Sequence, residues 1–287
     1  MNLLTVENWG DYQFLDSGDE LKLERFGAVY VQRPAAGAIW RREKPELWRR
    51  ANAIFQRTSA TGGKWVLQQT PAEWSISWND VQFWLRPTPM GHLGIFPEQS
   101  VNWRWLESTL KGVRDARVLN LFAYTGAASL VVARAGASVT HVDSAKAAIH
   151  WAQRNAQENG IEAGQIRWVV EDAATFVRRE KKRGSRYDVL IIDPPSFGRS
   201  ERNRVWKIER DLGPLVDDLL SLLRDSACCL VLTAHSAFIT ASVLANFLSP
   251  LEGRQSGSVT SGEIVHQADS SGKRFPGCAF ARWNRGG

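Results

Sequence analysis

An acidic residue followed by two prolines closes a strongly apolar run in the stretch VLIIDPPSFGRS, residues 189–200. A strand that ends on Asp193, Pro194 and Pro195 loses backbone N–H donors, because proline has none. The carboxylate of Asp193 and the carbonyl of Pro194 can then accept hydrogen bonds, and Phe197 adds a flat apolar ring. These residues are candidates for holding a planar molecule by its amino or imino groups and by stacking.

Acidic residues also close the two preceding apolar segments, since Asp143 follows ASVTHV and Glu171-Asp172 follows IRWVV. The turn NLFAYTGAAS at residues 120–129 contains one glycine, whereas a dinucleotide-binding turn needs three. The sequence also has no Gly-Lys-Ser/Thr phosphate loop. An acid after the second strand suits a ribose, and one after the third suits an exocyclic amine. The pattern predicts a nucleoside ligand without phosphates.

From Arg117 onward the chain alternates between β-like and helix-like segments. The strands are RVLNLFA, ASVTHVD, IRWVVED, YDVLIID and CCLVLTA, and helical patterns separate them. Such alternation predicts a parallel, doubly wound α/β sheet, whose strand ends meet at one ligand-binding edge. Two more strands are expected near GEIVHQA and CAFARW.

The first part of the chain differs from the rest. Short β-like pieces at 28–34, 64–69, 74–78 and 81–87 are broken by Gly, Pro, Asn and Asp, with a helix-like stretch at 45–58. We therefore expect a β-rich N-terminal domain over residues 1–90 and the α/β domain over residues 91–287. No internal repeat or low-complexity segment is visible.

The ordered motifs VLNLFAYTGAAS, VD at 142–143, ED at 171–172 and DPPSF at 193–197 resemble those of class I S-adenosylmethionine-dependent methyltransferases. With GHLGIFPEQ at 91–99, the chain is similar to the branch of bacterial large-subunit ribosomal RNA methyltransferases that carry Asp-Pro-Pro-x-Phe. The resemblance implies a seven-stranded Rossmann-like sheet, S-adenosyl-L-methionine as cofactor and RNA as partner. It covers residues 91–287 well.

The resemblance also implies roles for individual residues. Asp143 would bind the cofactor ribose and Asp172 the adenine amine. The remaining residues expected at the cofactor are Phe96 and Gln99, which would close over it, and Asn120, Tyr124, Thr125 and Gly126 at its methionine end. For Asp143 the alternative is a plain helix cap. For Asn120 the alternative is an ordinary turn residue that does not contact the cofactor.

The motif leaves the methylated atom open. Ser196 stands where adenine amino-group methyltransferases commonly have an aromatic residue, and similar enzymes include both cytosine-carbon and guanine-nitrogen methyltransferases. Methylation at cytosine carbon 5 needs a thiolate that adds to the ring. Neither DPPSFGRS nor LTAHSAF supplies a cysteine, and Cys228 and Cys229 enter the fifth strand at its far end. We therefore favour nitrogen or oxygen acceptors over carbon.

Substrate contacts are expected beside this motif. His235 follows the fifth strand and is a candidate for contacting the acceptor or accepting a proton. The basic cluster GRSERNRVWKIER at 198–210 places Arg199, Arg202 and Trp206 near the site, either for phosphates and a base or as the wet face of a helix. A second basic cluster, RREKKRGSR at 178–186, precedes the fourth strand and is expected at the opposite edge.

Composition narrows the class of protein. Hydrophobic residues make up 44% and charged residues 23%, which is typical of a globular chain. Residues 1–110 hold 12 basic and 12 acidic residues, so the whole net charge of +6 lies in the α/β part. Three cysteines without metal-ligand spacing, and no apparent secretory signal or membrane segment, indicate a cytoplasmic protein without a metal site.

The leading hypothesis is thus a methyltransferase that acts on a base of ribosomal RNA. Two alternatives remain: a methyltransferase for a small aromatic molecule or a protein side chain, and a noncatalytic RNA-binding protein that keeps the cofactor fold. The sequence leaves the oligomeric state open.

Overall fold

The computed structural model describes residues 2–59, 62–199, 205–236, 238–268 and 272–286, without the side chains of Arg199 and Gln255. In the first hundred residues the strands are β1 (Asn2–Val6), β2 (Tyr12–Gly18), β3 (Leu21–Phe26), β4 (Val29–Pro34), β5 (Ala53–Ser59), β6 (Gly62–Leu67), β7 (Trp74–Trp78) and β8 (Val81–Leu85). Helix α1 (Pro45–Trp48) and a 3-10 helix (Pro97–Gln99) accompany them, and α2 (Ser100–Leu110) follows.

The second part alternates strands and helices, as predicted. The strands are β9 (Arg117–Leu121), β10 (Ser138–Asp143), β11 (Ile166–Val170), β12 (Val189–Ile192), β13 (Phe197–Arg199), β14 (Val205–Lys207), β15 (Cys229–Ala234), β16 (Ser258–Gln267) and β17 (Arg274–Asn284). The helices are α3 (Ala127–Arg134), α4 (Lys146–Glu158), α5 (Ala173–Lys182), α6 (Ile208–Leu220) and α7 (Ala241–Leu248), with 3-10 turns at Ser249–Leu251 and Arg254–Ser256.

The main sheet confirms the doubly wound α/β prediction. Among the described residues it has eight strands in the order β1-β16-β17-β15-β12-β9-β10-β11. The five strands from β15 to β11 are parallel, and β17 pairs antiparallel with β15. The sequence predicted seven strands. The eighth strand is β1, which lies at the N-terminal end of the chain and pairs with β16.

Parallel strands are buried on both faces, which explains their continuous apolar runs. All four residues of β12 and all six of β15 are buried. Side chains of these strands and of β9 pack with α5, α6 and α7 in one core, for example Leu190, Leu232, Phe176, Leu215 and Leu244. Because β9, β12 and β15 run in the same direction, their carboxyl ends share one edge of the sheet.

The chain divides by contacts into two compact units. The large unit comprises Met1–Leu4, Val101–Ile264 and Cys278–Gly287, and the small unit comprises Thr5–Ser100 and Val265–Gly277. The two units are defined by which residues contact one another, whereas the predicted boundary after residue 90 divides the sequence at a single position. The small unit therefore also contains a segment from near the end of the chain.

The small unit is rich in strands. Strands β2 to β6 form one sheet in chain order, and β7 and β8 form a hairpin. The helix-like interpretation of residues 45–58 was wrong beyond residue 48. Strand β5 begins at Ala53, because Ala53 and Phe55 are buried between β4 and β6, and this pairing outweighs the local helical pattern.

A buried ion pair links two neighbouring strands of this sheet. Arg33 donates to Glu24 Oε2 through Nε at 3.0 Å, and Lys22 Nζ lies 3.3 Å from Glu24 Oε1. Burial alone raises the pKa of Glu24, but Arg33 and Lys22 outweigh it and the pKa falls to about 2. Tyr12 also donates to Glu24 Oε1, at 3.2 Å.

Candidate active site

The turn between β9 and α3 adopts a backbone that few residues tolerate. Phe122 and Tyr124 have φ values of 54° and 50°, and Gly126 has 92°. A Cβ on Gly126 would lie 3.0 Å from Ala152 Cβ, so the turn packs tightly on α4. Such left-handed residues are uncommon outside glycine and cluster where a ligand is held. The turn leads into the N-terminus of α3, which carries partial positive charge.

Asp143 ties this turn to the end of β10. Its Oδ2 accepts the Tyr124 N–H at 2.9 Å, and its Oδ1 accepts the Ala145 N–H at 2.8 Å. The carboxylate is half-buried, and burial raises its pKa despite these hydrogen bonds. Helix α4 has Ala145 as its N-cap, so Asp143 is not its capping residue.

A buried polar network lies behind the turn. Asn120 donates to Ser129 Oγ at 2.9 Å, and Ser129 Oγ lies 2.9 Å from His141 Nδ1. Asn155 donates to the carbonyl of Thr125 at 2.9 Å. Burial lowers the pKa of His141 to about 3, so its ring is neutral near pH 7. The network fixes the turn from inside the protein.

Asn120 and Thr125 are 3% and 2% exposed, so they support the turn from the interior. The predicted contact of these two residues with a methionine end stays a prediction. Sequence reasoning picked out Ser129 as able to hydrogen-bond but missed His141 and Asn155. The available signal was His141, an ionisable residue inside a strand, two positions before Asp143.

Asp172 begins α5 as its N-cap. Its Oδ1 accepts hydrogen bonds from the N–H and the hydroxyl of Thr175, both at 2.9 Å. The preceding Glu171 is paired with Arg179 at 2.6 Å. Asp172 thus combines a capping bond with a position at the end of β11, next to Asp143 on β10.

These elements surround an open cleft in the large unit. Its lining brings together residues from five segments: Phe122, Val142, Asp143, Ser144, Glu171, Asp172, Ala173, Pro195, Gly198 and Trp206. No lysine or arginine is among these described lining residues, whereas three are acidic. The negative charge of these lining residues suits a neutral or cationic nucleoside better than a phosphate. It therefore fits S-adenosylmethionine, whose sulfonium is cationic.

Asp193 lies at the carboxyl end of β12, beside β15. Its Oδ1 accepts the Thr233 hydroxyl at 2.5 Å, and His235 Nε2 lies 3.5 Å from the same oxygen. The side chains of Asp193 and His235 are 26% and 27% exposed. These two candidate residues therefore lie close together at the surface of the sheet edge. Thr233 orients Asp193 and was missed by the sequence analysis.

The segment after the prolines folds into a small ribbon. Strands β13 and β14 pair antiparallel, with Phe197 opposite Lys207 and Gly198 opposite Trp206. Phe197 is 55% exposed. Ser196 Oγ donates to the His235 carbonyl at 3.4 Å, which links the ribbon to the segment after β15.

Trp206 is not exposed for stacking on a base, which was one of the two roles considered from the sequence. It is 7% exposed, packs 4.9 Å from the Phe122 ring and donates to the Pro195 carbonyl at 2.7 Å. In this structure the indole holds the Asp-Pro-Pro segment against the cleft. The Arg199 side chain, Arg202 and Arg204 lie outside the described residues.

Phe96 and Gln99 belong to the small unit. Phe96 is the N-cap of the 3-10 helix Pro97–Gln99, and its ring centroid lies 5.1 Å from that of His92. Their predicted closure over the cofactor stays a prediction.

The three cysteines are thiols and form no disulfide with one another. Cys229 pairs with Val189 at the start of β12, four residues before Thr233, which is roughly 13 Å along the strand. Burial raises the pKa of Cys228 and of Cys229, so both thiols are neutral near pH 7. Within the described ranges no group of His, Cys, Asp and Glu forms a metal site. None of the described helices has the length and apolarity required to span a bilayer.

The parallel sheet, the acidic residues at the ends of its strands and the open cleft beside them define a cofactor-binding protein. A family model described as S-adenosylmethionine-dependent methyltransferase matches residues 50–237. The chain belongs to this family, and its cofactor is S-adenosylmethionine.

Solved structures agree with this assignment. A SAM-dependent methyltransferase from Agrobacterium tumefaciens has 39% sequence identity and a TM-score of 0.94, over 100% of this chain and 94% of that one. A methyltransferase from Streptococcus mutans and SMU.776 in complex with SAH each have 18% identity and a TM-score of 0.75. Each of the two matches covers 96% of this chain and 76% of the other chain, and shows that the fold is shared.

One curated relative carries a more specific name. Ribosomal RNA large subunit methyltransferase K of Neisseria meningitidis serogroup B is 26% identical over 226 residues, which is 72% of this chain. The chain spans 60% of the length of that relative.

Proposed function

We propose that this protein transfers a methyl group from S-adenosylmethionine to a nitrogen of a base in ribosomal RNA. The observation that carries the proposal is Asp193, oriented by Thr233 and placed near His235 at the carboxyl edge of the sheet. A hydrogen-bond acceptor held at this edge, beside the exposed ring of Phe197, suits a flat acceptor with an N–H group.

The cofactor would lie in the cleft between the turn after β9 and the ends of β10 and β11. Asp143 would accept the ribose hydroxyls and Asp172 the adenine amine, while Tyr124 and Gly126 would border the methionine end. When bound, the cofactor supplies an activated methyl group on a cationic sulfur. The protein need not activate that group and has only to align the acceptor with it.

Asp193 would align the acceptor by accepting a hydrogen bond from its amino or imino group, assisted by the Pro194 carbonyl. The acceptor nitrogen would form the new N–C bond with its lone pair while the bond from sulfur to that methyl group breaks, which leaves S-adenosylhomocysteine, and the nitrogen would lose one proton. Asp193 and His235 are the acceptors for that proton within the described part of this edge. Phe197 would stack on the ring, which is worth about 1–3 kcal/mol per base.

A nitrogen acceptor is favoured over cytosine carbon 5 by the position of Cys228 and Cys229 and by the burial of Cys278. Cys278 precedes Ala279, which pairs with Ala234 at the carboxyl end of β15, and it is only 4% exposed. Cys228 and Cys229 lie at the start of β15, at the end opposite Asp193, and burial keeps both thiols protonated. A thiol at that position cannot add to a base held by Asp193.

The choice of RNA rests on charge and on one relative. The entire net charge of +6 lies in residues 111–287, and a basic segment directly follows the Asp-Pro-Pro motif. Lys207, in the described part of this basic segment, is exposed. Ser196, Arg199 and Arg202 are proposed to contact the substrate. The relative from Neisseria meningitidis is named for ribosomal RNA.

The test is transfer of radiolabelled methyl groups to ribosomal RNA isolated from a strain that lacks the gene. We expect label in RNA with the natural protein and none with Asp193→Ala, whose cofactor affinity is checked by calorimetry. Protein fractions and small aromatic molecules serve as competing acceptors. Label in one of those and none in RNA would contradict the choice of substrate. Cofactor binding without transfer to any acceptor would favour a noncatalytic role.

A further inference from the structure

Two phenylalanine rings stand out by their exposure. The chain has 13 Trp, 4 Tyr and 12 Phe, and among the described residues only the side chains of Phe197 and Phe238 are strongly exposed, at 55% and 80%. Aromatic side chains carry large apolar surfaces that proteins normally bury. An exposed pair therefore points to a surface that another molecule covers.

Both rings belong to segments that leave the same edge of the sheet. Phe197 follows β12 by way of the Asp-Pro-Pro motif, and Phe238 follows β15, which pairs in parallel with β12. Two hydrogen bonds link the two segments. The Thr233 hydroxyl donates to Asp193 at 2.5 Å, and Ser196 Oγ donates to the His235 carbonyl at 3.4 Å.

The backbone around Phe238 keeps its ring outside the core. Ile239 is 8% exposed, and its N–H donates to the Ser236 carbonyl at 3.3 Å. Thr240 then caps α7 by accepting the Val243 N–H. With its neighbour anchored inward and the helix beginning directly afterwards, Phe238 is directed toward solvent.

We propose that Phe238 is a substrate-binding residue that, together with Phe197, holds the planar ring of the acceptor base from its two faces. The proposal rests on the proposed function and extends the acceptor site to the segment after β15. A base that reaches Asp193 must leave its stack in the RNA, and this unstacking costs free energy. Two aromatic rings at the site replace the neighbours that the base has lost.

The division of roles follows from side-chain chemistry. A phenylalanine ring offers no hydrogen bond, so Phe238 selects for a flat ring and leaves the identity of the base to Asp193. Removal of Phe238 should therefore weaken binding of RNA and raise its KM, whereas affinity for the cofactor should not change.

The experiment compares two short single-stranded RNA oligonucleotides, one with natural bases and one with abasic sites, in the presence of saturating S-adenosylhomocysteine. The occupied cofactor site then cannot capture a base. For the natural protein we expect tighter binding of the oligonucleotide with bases. Phe238→Ala should reduce this preference by roughly 5- to 150-fold, the range of stacking on one aromatic side chain.

Matched variants separate stacking from general apolar contact. Phe238→Trp should restore the preference, and Phe238→Leu, which is apolar but not flat, should restore little of it. Ile39→Ala, at a residue that is 81% exposed in the small unit, should leave the preference unchanged.

A preference for bases that survives in Phe238→Ala, or that is absent in the natural protein, would overturn the proposal. If the preference depends on Phe238 but the natural protein transfers no methyl group to ribosomal RNA, the aromatic pair stands and the proposed substrate fails.

Discussion

Asp143 Oδ2 accepts the backbone N–H of Tyr124 at 2.9 Å and thereby joins the end of β10 to the turn after β9. The same carboxylate accepts the Ala145 N–H through its other oxygen. The proposed ribose acceptor and the left-handed turn beside it therefore form one unit. A substitution at Asp143 acts on both the cofactor contact and the shape of the turn.

Substitution of Asp143 by alanine should lower the affinity for S-adenosylmethionine by roughly 10- to 100-fold. The loss corresponds to charge-assisted hydrogen bonds worth about 1.5–3 kcal/mol. Isothermal titration calorimetry measures it directly. Asp225→Ala is the matched control, because the Asp225 side chain is fully exposed in the same unit. Equal affinities of the natural protein and Asp143→Ala would remove the ribose assignment.

Replacement of Asp193 by alanine should abolish turnover and leave cofactor affinity largely unchanged, since the proposed contact is made with the acceptor. Thr233→Val keeps the shape of the buried side chain but removes its hydroxyl from Asp193. We expect turnover of that variant to fall roughly 10-fold, from the loss of one hydrogen bond to a charged group. Single-turnover kinetics with saturating cofactor measure both. Full activity of Asp193→Ala would place the acceptor elsewhere.

The triple variant with alanine at Cys228, Cys229 and Cys278 should retain methyl transfer, because no thiolate takes part in attack at nitrogen. The readouts are turnover of the folded variant and trapping with RNA that contains 5-fluorocytosine. A stable adduct of the natural protein that disappears in the triple variant would restore cytosine carbon 5 as the target.

Acid should destabilise the protein through His141. Burial holds the pKa of this residue at about 3 in the folded state, against an ordinary value of 6.5. The unfolded chain thus binds a proton below pH 6.5 that the folded protein does not bind, and stability falls as pH decreases through this range. Between pH 7.5 and 5.5 the free energy of unfolding should fall by about 1.4 kcal/mol from this residue alone.

Urea unfolding of the natural protein and of His141→Asn at both pH values measures the contribution of His141. The asparagine variant should have the smaller pH dependence, by about that amount. The same pH dependence in both proteins would mean that the imidazole becomes protonated in the folded state.

Much of the large unit could be predicted from sequence, because the signals are local. Apolar runs such as VLII, followed by acids or prolines, fixed the strand ends on which Asp143 and Asp193 lie. The β7–β8 hairpin was likewise visible as two β-like pieces separated by Asn79 and Asp80.

Features that depend on distant pairing could not be predicted. The NLLTV segment of β1 gives no sign that it pairs with β16, more than 250 residues later. Residues 49–58 have a helical pattern, yet pairing with β4 and β6 places Ala53–Ser59 in a strand. From sequence Trp206 was a candidate either for stacking on a base or for one face of a helix, and the fold instead buries it against Phe122. Each outcome was decided by tertiary contacts that no local window contains.

The central claim is methylation of a base in ribosomal RNA through Asp193, and mass spectrometry of ribosomal RNA nucleosides tests it most directly. The RNA comes from a strain that lacks the gene, complemented with the natural protein, with Asp193→Ala or with an empty vector. We predict that one nucleoside methylated at a base nitrogen is missing from the deletion strain, returns with the natural protein and stays missing with Asp193→Ala. Identical nucleoside profiles in all strains, or recovery with Asp193→Ala, would contradict the account.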